Sequence, residues 1–563
     1  MTIWGALAAV PAYAIAQPST ARFGWFDYRG SDPTDAQRPA AGQYRNPILQ
    51  GFYPDPSITR VGRDYYLVSS TFAYFPGIPI FRSRDLVNWK QIGNAISRNG
   101  QLDFGRLGLS RGVFAPTISH KDGIFYILNT CVDCGGNFLI TARDPAGPWS
   151  DPVWLRDLEG GIDPALFFDD DGRTWIVNNG PPDGPPRYPG HRAIWLQEFD
   201  LANLRTIGPR HPLVDAGVDP STNPIWIEGP HILKVNGWYY LICAEGGTAT
   251  GHSQVVLRSR AVTGPYQAYA GNPILTQRDL PPDRPNPVTS AGHAQLVQTP
   301  DGAWWATFLA VRPYQGDYYN TGRETFLLPV TWREGWPHIL PQGEPIPSLH
   351  ARPDLPRQRP PVLPTNGPFA VREEFNGSAL APYWMMVRNP RGDWLRLRNG
   401  ELVLTTQPVP LGGMGNPAFV VRRQQHRNAE VSTTVRFQPV RAGDEAGIAA
   451  FQNDDYFYAL SVGSDGGGVT LRLRRRAGPN DPQQGAIVAT AQLPGGAGEP
   501  VQLRITTDSL RYSFFYAGPR GPWRQLGTAQ DGTILSTRTA GGFVGAVFGL
   551  FAVEGEAPRM GSR

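Results

Sequence analysis

From Asn46 to about Leu340 the apolar residues fall in short runs rich in aromatic and β-branched side chains, broken by Gly, Asp, Asn and Pro, with no long helical periodicity. One phrase recurs five times between Tyr53 and Ala306. It consists of a small or acidic residue, usually followed by proline, then an aliphatic residue, a glycine-bearing turn and an aromatic run. The copies read YPDPSITRVGRDYYLV, VFAPTISHKDGIFYIL, GIDPALFFDDDGRTWIV, IEGPHILKVNGWYYLI and AGHAQLVQTPDGAWWAT. In the first four, Pro56, Pro116, Pro164 and Pro230 precede Tyr66, Tyr126, Trp175 and Tyr240 by ten, ten, eleven and ten residues. The aliphatic anchors Ile58, Ile118, Leu166, Ile232 and Leu296 lie 60, 48, 66 and 64 residues apart. Each phrase reads as a hairpin with a turn at Asp-Gly, Asn-Gly or a Gly-bearing variant. Hairpins repeated at this period predict a β-propeller of five blades. Roughly 59 residues per copy suffice for four strands and their loops.

The pattern changes after the fifth copy. Residues 341–368 carry nine prolines in 28 positions, a composition that stays extended and predicts an interdomain linker. From Phe369 onward come alternating runs such as ELVLTT, AEVSTTVRF, YFYALSV and VQLRITT. Period-2 alternation bounded by turn signals predicts an antiparallel β-sandwich over 369–560. The fold class expected is therefore all-β, with a propeller over 46–340 followed by a sandwich. Residues of about 20 to 45 read as a polar, irregular leader into the first blade.

Length agrees with two domains, because 563 residues exceed what one hydrophobic core holds. Lys+Arg 52 against Asp+Glu 48 leaves a formal net charge of +4 with no basic tract, which argues against a nucleic-acid partner. The opening residues 1–16 end in Ala14-Ile15-Ala16, a pattern of signal cleavage, although the first basic residue is Arg22. Export to the periplasm or medium is expected, with a cytoplasmic location as the alternative. No run of 18 apolar residues is present, so no membrane helix is expected. Cys131 and Cys134 form a C-x-x-C without a second pair for zinc, which leaves a local disulfide or two thiols. Oligomeric state stays open between monomer and homo-oligomer.

The chemistry lies in the repeats. Asp55, Asp163 and Glu228 stand at related positions in copies one, three and four, and related positions on a radial fold converge on its axis. Two carboxylates whose environments push their pKa values apart can serve as base and acid, and a third raises the acid's pKa by like-charge repulsion. That set suits cleavage of a glycosidic bond. No Gly-rich phosphate loop is present, and no redox or phosphate cofactor is implied.

YPDPS at Tyr53 to Ser57, FFDDDG after Ile162-Asp163-Pro164, and IEGPHILK at Ile227 to Lys234 resemble the three signature blocks of glycoside hydrolase family 43. RNPILQGFYPDPSITRVGRDYYLVSSTFAYFPGIPIFRSRDLVNW resembles its β-xylosidase and α-L-arabinofuranosidase branch, and the C-terminal half resembles the concanavalin-like sandwich appended there. The resemblance implies an exo-acting, inverting enzyme that releases a terminal pentose from plant cell-wall oligosaccharides. It implies Asp55 as general base, Asp163 as pKa modulator and Glu228 as general acid. It further implies pocket roles for Phe72, Phe114, Thr248, His293, Arg323 and Phe543. Phe114 stands where the family more often has tryptophan, which leaves a smaller ring without an indole N–H. His293 holds the axial position of the fifth copy, near which some members place a calcium ion. Phe543 would bring the sandwich to the pocket rim. The pentose expected is β-D-xylose, with α-L-arabinofuranosidase activity, alone or together with β-xylosidase activity, as the nearest rival. A non-catalytic carbohydrate-binding propeller and an endo-acting arabinanase or xylanase with an open cleft are the more distant ones.

Overall fold

The structure, a computed structural model, describes residues 17–158, 160–464 and 468–555. The signal-like segment 1–16 lies outside these residues. Five antiparallel sheets surround one axis, and their inner strands are Ser57–Val61, Thr117–Lys121, Ile162–Phe168, Glu228–Val235 and Thr289–Gln298. Each begins at one copy of the repeated phrase, and the five aliphatic anchors all lie on these strands. The hairpins close as the dipeptides require. Asp122-Gly123 and Asn236-Gly237 have positive φ at both residues, the geometry whose twist matches paired strands.

Inner strands touch in ring order, and the fifth packs on the first. Side chains stitch the ring. Gln295 Oε1 accepts from Ser57 Oγ at 2.6 Å and from the Ile58 N–H at 2.9 Å, while Ser57 Oγ accepts from the Ile118 N–H at 2.9 Å. Thr117 Oγ1 donates to Pro164 O at 2.7 Å. Asp163 Oδ2 accepts from the Gly229 N–H at 3.0 Å, and Gln254 Oε1 accepts from the Ala294 N–H at 2.7 Å. These buried polar groups near the axis thus find partners in the neighbouring blade, which fixes blade spacing.

The C-terminal half is a two-sheet β-sandwich, and it differs from the sequence expectation at its edges. Residues Thr20–Ser31 are not an irregular leader. They form a central strand of one sheet, paired with Asn428–Phe437 on one side and with Glu401–Thr405 and Phe369–Glu373 on the other. Ala21, Phe23, Phe26 and Tyr28 are buried there, and an irregularity between Phe23 and Phe26 breaks the alternation that would have revealed the strand. The second sheet ends on Met385–Val387, to which the propeller adds Tyr74–Phe75 as an edge strand. One apolar core then runs across the junction, with Phe52, Phe72 and Tyr74 beside Phe419, Phe451 and Phe551. Buried Arg423 donates from Nε to Phe52 O at 2.7 Å. The proline-rich stretch does not hang free. Leu349–Ala351 pairs with Gln43–Arg45, and Arg352 Nη2 donates to Asp85 Oδ2 at 2.8 Å.

Cys131 and Cys134 form a disulfide, and Cys243 is free and buried.

Candidate active site

In blades three, four and five the inner strand carries one residue more than its partner at the same place. Ile162 and Ala165 face Asn179 and Val177, Glu228 and His231 face Ala244 and Ile242, and Gly292 and Gln295 face Leu309 and Thr307. Such bulges re-aim the side chains at the strand's start. The first bulged residue has left-handed backbone in each: Asp163 at φ 54°, Gly229 at φ 56° and His293 at φ 53°. Asp55, before Pro56 in blade one, has φ 55°. Asp tolerates this region better than most residues, and unusual backbone of this kind clusters at functional sites.

This register refines the sequence reading. Asp55, Asp163 and His293 are equivalent, whereas Glu228 sits one residue earlier, at the place of Ile162 and Gly292. The reason lies at position 229. A Cβ there would stand 2.8 Å from His293 Nε2, and φ is positive, so the equivalent position of blade four must be glycine. The acid is displaced by one residue and reaches the axis with its longer side chain.

All nine residues singled out from the sequence, Asp55, Phe72, Phe114, Asp163, Glu228, Thr248, His293, Arg323 and Phe543, line one cavity of about 410 Å3. The three carboxylates are buried and have different surroundings. Asp55 Oδ2 accepts from Ser70 Oγ at 2.5 Å, and Oδ1 accepts from Arg323 Nη1 at 3.1 Å with His293 Nδ1 at 3.9 Å. Burial works against its charge, but Arg323, then His293 and the Ser70 hydroxyl, outweigh burial and hold Asp55 below the usual carboxylate range. Glu228 has the opposite balance. Burial first, then the charges of Asp163 and Asp55, push it well above the usual range against a weaker pull from Arg323 and Arg192. Asp163 is pushed up to about 6 by burial, with His293 opposing, Asp55 reinforcing and the Gly229 N–H opposing. Within one cavity, then, the surroundings favour the ionised form of Asp55 and the protonated form of Glu228.

The walls are aromatic. Phe72 and Phe543 stack with centroids 5.9 Å apart, and Phe114 meets each edge-on at 5.7 Å. Arg323 covers the Phe543 ring at 5.2 Å. Phe543 comes from the sandwich, and its N–H donates to Ser110 Oγ of the propeller at 2.8 Å, so the second domain supplies one wall. Sequence reasoning missed Ser70, Arg111, Arg192 and Trp226. They lie outside the repeated phrase, in connections between strands where no motif marks them.

Among the described residues no group of three or more His, Cys, Asp or Glu side chains is arranged to hold a metal ion. Calcium takes six to eight oxygen ligands. Beside His293 stand His231 and His252, held neutral by burial, and Asp55 has both oxygens engaged. Direct calcium ligation does not fit this donor set.

The sequence profile of glycosyl hydrolases family 43 matches residues 44–337, and that of the beta xylosidase C-terminal concanavalin A-like domain matches 372–561. The chain is 38% identical over 512 residues to a xylosidase/arabinosidase of Butyrivibrio fibrisolvens, covering 90% of this chain and 95% of that protein. It is 35% identical over 517 residues to the non-reducing end alpha-L-arabinofuranosidase BoGH43B of Bacteroides ovatus, covering 90% and 91%. The crystal structure of a GH43_12 protein retrieved from the capybara gut metagenome superposes with a TM-score of 0.87 at 38% identity, covering 95% of this chain and 99% of that one.

Proposed function

The chain belongs to glycosyl hydrolases family 43, and from that premise we propose that it removes terminal β-D-xylose from xylo-oligosaccharides by a single inverting displacement. The observation that carries this is the split between Asp55 and Glu228 within one cavity. Ionised Asp55 takes a proton from a water molecule, which attacks the anomeric carbon. Protonated Glu228 gives its proton to the departing glycosidic oxygen on the other side of the sugar. Asp163 forms no bond to substrate. Second to burial, its charge favours the protonated form of Glu228, and its hydrogen bond from the Gly229 N–H fixes the backbone next to the acid. Arg323 has two tasks: it keeps Asp55 ionised and offers donors to sugar hydroxyls. Phe72 and Phe543 form the apolar wall against which the sugar packs, and the wall that the sandwich adds through Phe543 favours exo over endo action.

Removal of terminal α-L-arabinofuranose is the second reading, supported by the activities for which both relatives above are named. The two sugars differ weakly in the contacts one small pocket can make. A calcium ion near His293 would have to be held through water, and no step depends on it. We further read the protein as exported, since the Cys131–Cys134 disulfide suits an oxidising compartment. Cell fractionation that finds the enzyme only in the cytosol refutes that reading.

The functional test is hydrolysis of short xylo- and arabino-oligosaccharides with product lengths followed in time. Release of single pentose units from the chain end is expected. Cleavage at internal bonds, or no cleavage of any pentoside, contradicts the proposal.

A further inference from the structure

Two residues before Glu228, the indole of Trp226 lines the same cavity and remains 39% exposed. Its φ of 52° is a genuine outlier for a bulky residue and persists only where the surroundings impose it. Here they do. The Trp226 N–H donates to Gly190 O at 2.9 Å, the Gly246 N–H donates to Ile225 O at 2.9 Å, and Tyr188 OH donates to Pro224 O at 2.9 Å. The ring is braced as well. The Arg192 guanidinium carbon lies 5.0 Å from the indole centroid. Arg192 is itself fixed by Nε and Nη2 to Asn179 Oδ1 at 2.9 and 2.6 Å and by Nη2 to Gly160 O at 2.7 Å. A large aromatic ring is thus held rigid, partly uncovered and next to the proton donor.

The buried end of the cavity is taken by the carboxylates and by Phe72, which is 1% exposed. The exposed ring of Trp226, two residues from the acid, is left for the part of the substrate outside that buried end. A pyranose chair offers a flat face of C–H groups that packs on an indole, whereas a puckered furanose with its exocyclic arm does not. We propose that Trp226 is the platform for the sugar that leaves, and that this sugar is a pyranose, so that the substrates are xylan-type chains rather than chains of furanose units. This rests on the pentosidase reading of the same cavity.

The test compares the full chain with Trp226→Ala, Trp226→Leu and Trp226→Phe on xylobiose and on β-D-xylosyl fluoride, whose leaving group has no ring. Loss of the platform should lower the xylobiose-to-fluoride ratio of kcat/KM about two- to tenfold, mainly through KM, with Trp226→Phe recovering most of it. Trp226→Leu keeps apolar bulk and reports the same ratio if the alanine variant fails to fold. A ratio unchanged in the variants overturns the platform. A matched pair, β-D-xylosyl units carried on xylose or on arabinofuranose, reads the pyranose claim: wild type prefers the first and Trp226→Ala loses that preference. Equal turnover of the pair by wild type overturns it. If wild type cleaves none of these compounds, it is the pentosidase reading that fails instead.

Discussion

Replacing Arg323 by methionine keeps the bulk of the side chain and removes the cation nearest Asp55. The guanidinium stands 3.1 Å from Asp55 Oδ1, and both groups are buried. At an effective dielectric of about 20 the gross attraction at that distance is about 5 kcal/mol, a ceiling of about 4 pKa units. Relaxation and water entry should leave about 1–3 units, the usual effect of one opposite charge at close range. The sign follows from the causes. Asp55 is held low by Arg323 against the opposing effect of burial, so its pKa must rise when Arg323 is removed. Arg323 also pulls Glu228 down, so that pKa must rise too. The rate needs Asp55 ionised and Glu228 protonated, so the acidic limb of kcat/KM reports the first and the alkaline limb the second. Both limbs should move to higher pH, which an ordinary loss of a substrate contact cannot produce. The assay is the pH profile of kcat/KM on an aryl β-xyloside, normalised to its own maximum because Arg323 also lines the pocket. An acidic limb that stays in place, or moves down, refutes the electrostatic account of the base.

Asp163→Asn removes a like charge from Glu228, so the alkaline limb should move down by about 1–3 units while the acidic limb moves little; an unmoved alkaline limb would free Glu228 from Asp163. Glu228→Ala should slow alkyl xylosides far more than activated aryl ones, since only the former need a proton on the leaving oxygen; equal losses would remove Glu228 from the acid role. Asp55→Ala should cost about 10²–10⁴-fold in kcat on every substrate, because no second group replaces its action on water, and a loss confined to poor leaving groups would contradict that. Phe543→Ala should raise KM for xylobiose about two- to tenfold by taking away a ring stacked on Phe72 at 5.9 Å, and an unchanged KM would place Phe543 outside the sugar site.

The propeller was legible because its information is local and repeated. Turn dipeptides set the hairpins, and the spacing of Ile58, Ile118, Leu166, Ile232 and Leu296 placed one anchor on each inner strand. Asp55 and Asp163 could be found in the same way, since a carboxylate before proline at the start of a repeat marks an axial residue with left-handed backbone. Three features were not local. Thr20–Ser31 pairs with residues some 400 positions away, and an irregular alternation hides its buried face. The one-residue offset of Glu228 follows from the approach of His293 to Gly229, a contact between blades that no window of sequence contains. Arg192 and Trp226 reach the cavity from outside the repeat, so chain position alone gives no reason to single them out.

Proton NMR of the sugar as it is first released, before mutarotation, is the most direct trial of the placement of Asp55 and Glu228 on opposite sides of one bond. From a β-xyloside the account predicts that the α-anomer appears first. Initial appearance of the β-anomer would mean a covalent intermediate and would contradict water attack assisted by Asp55.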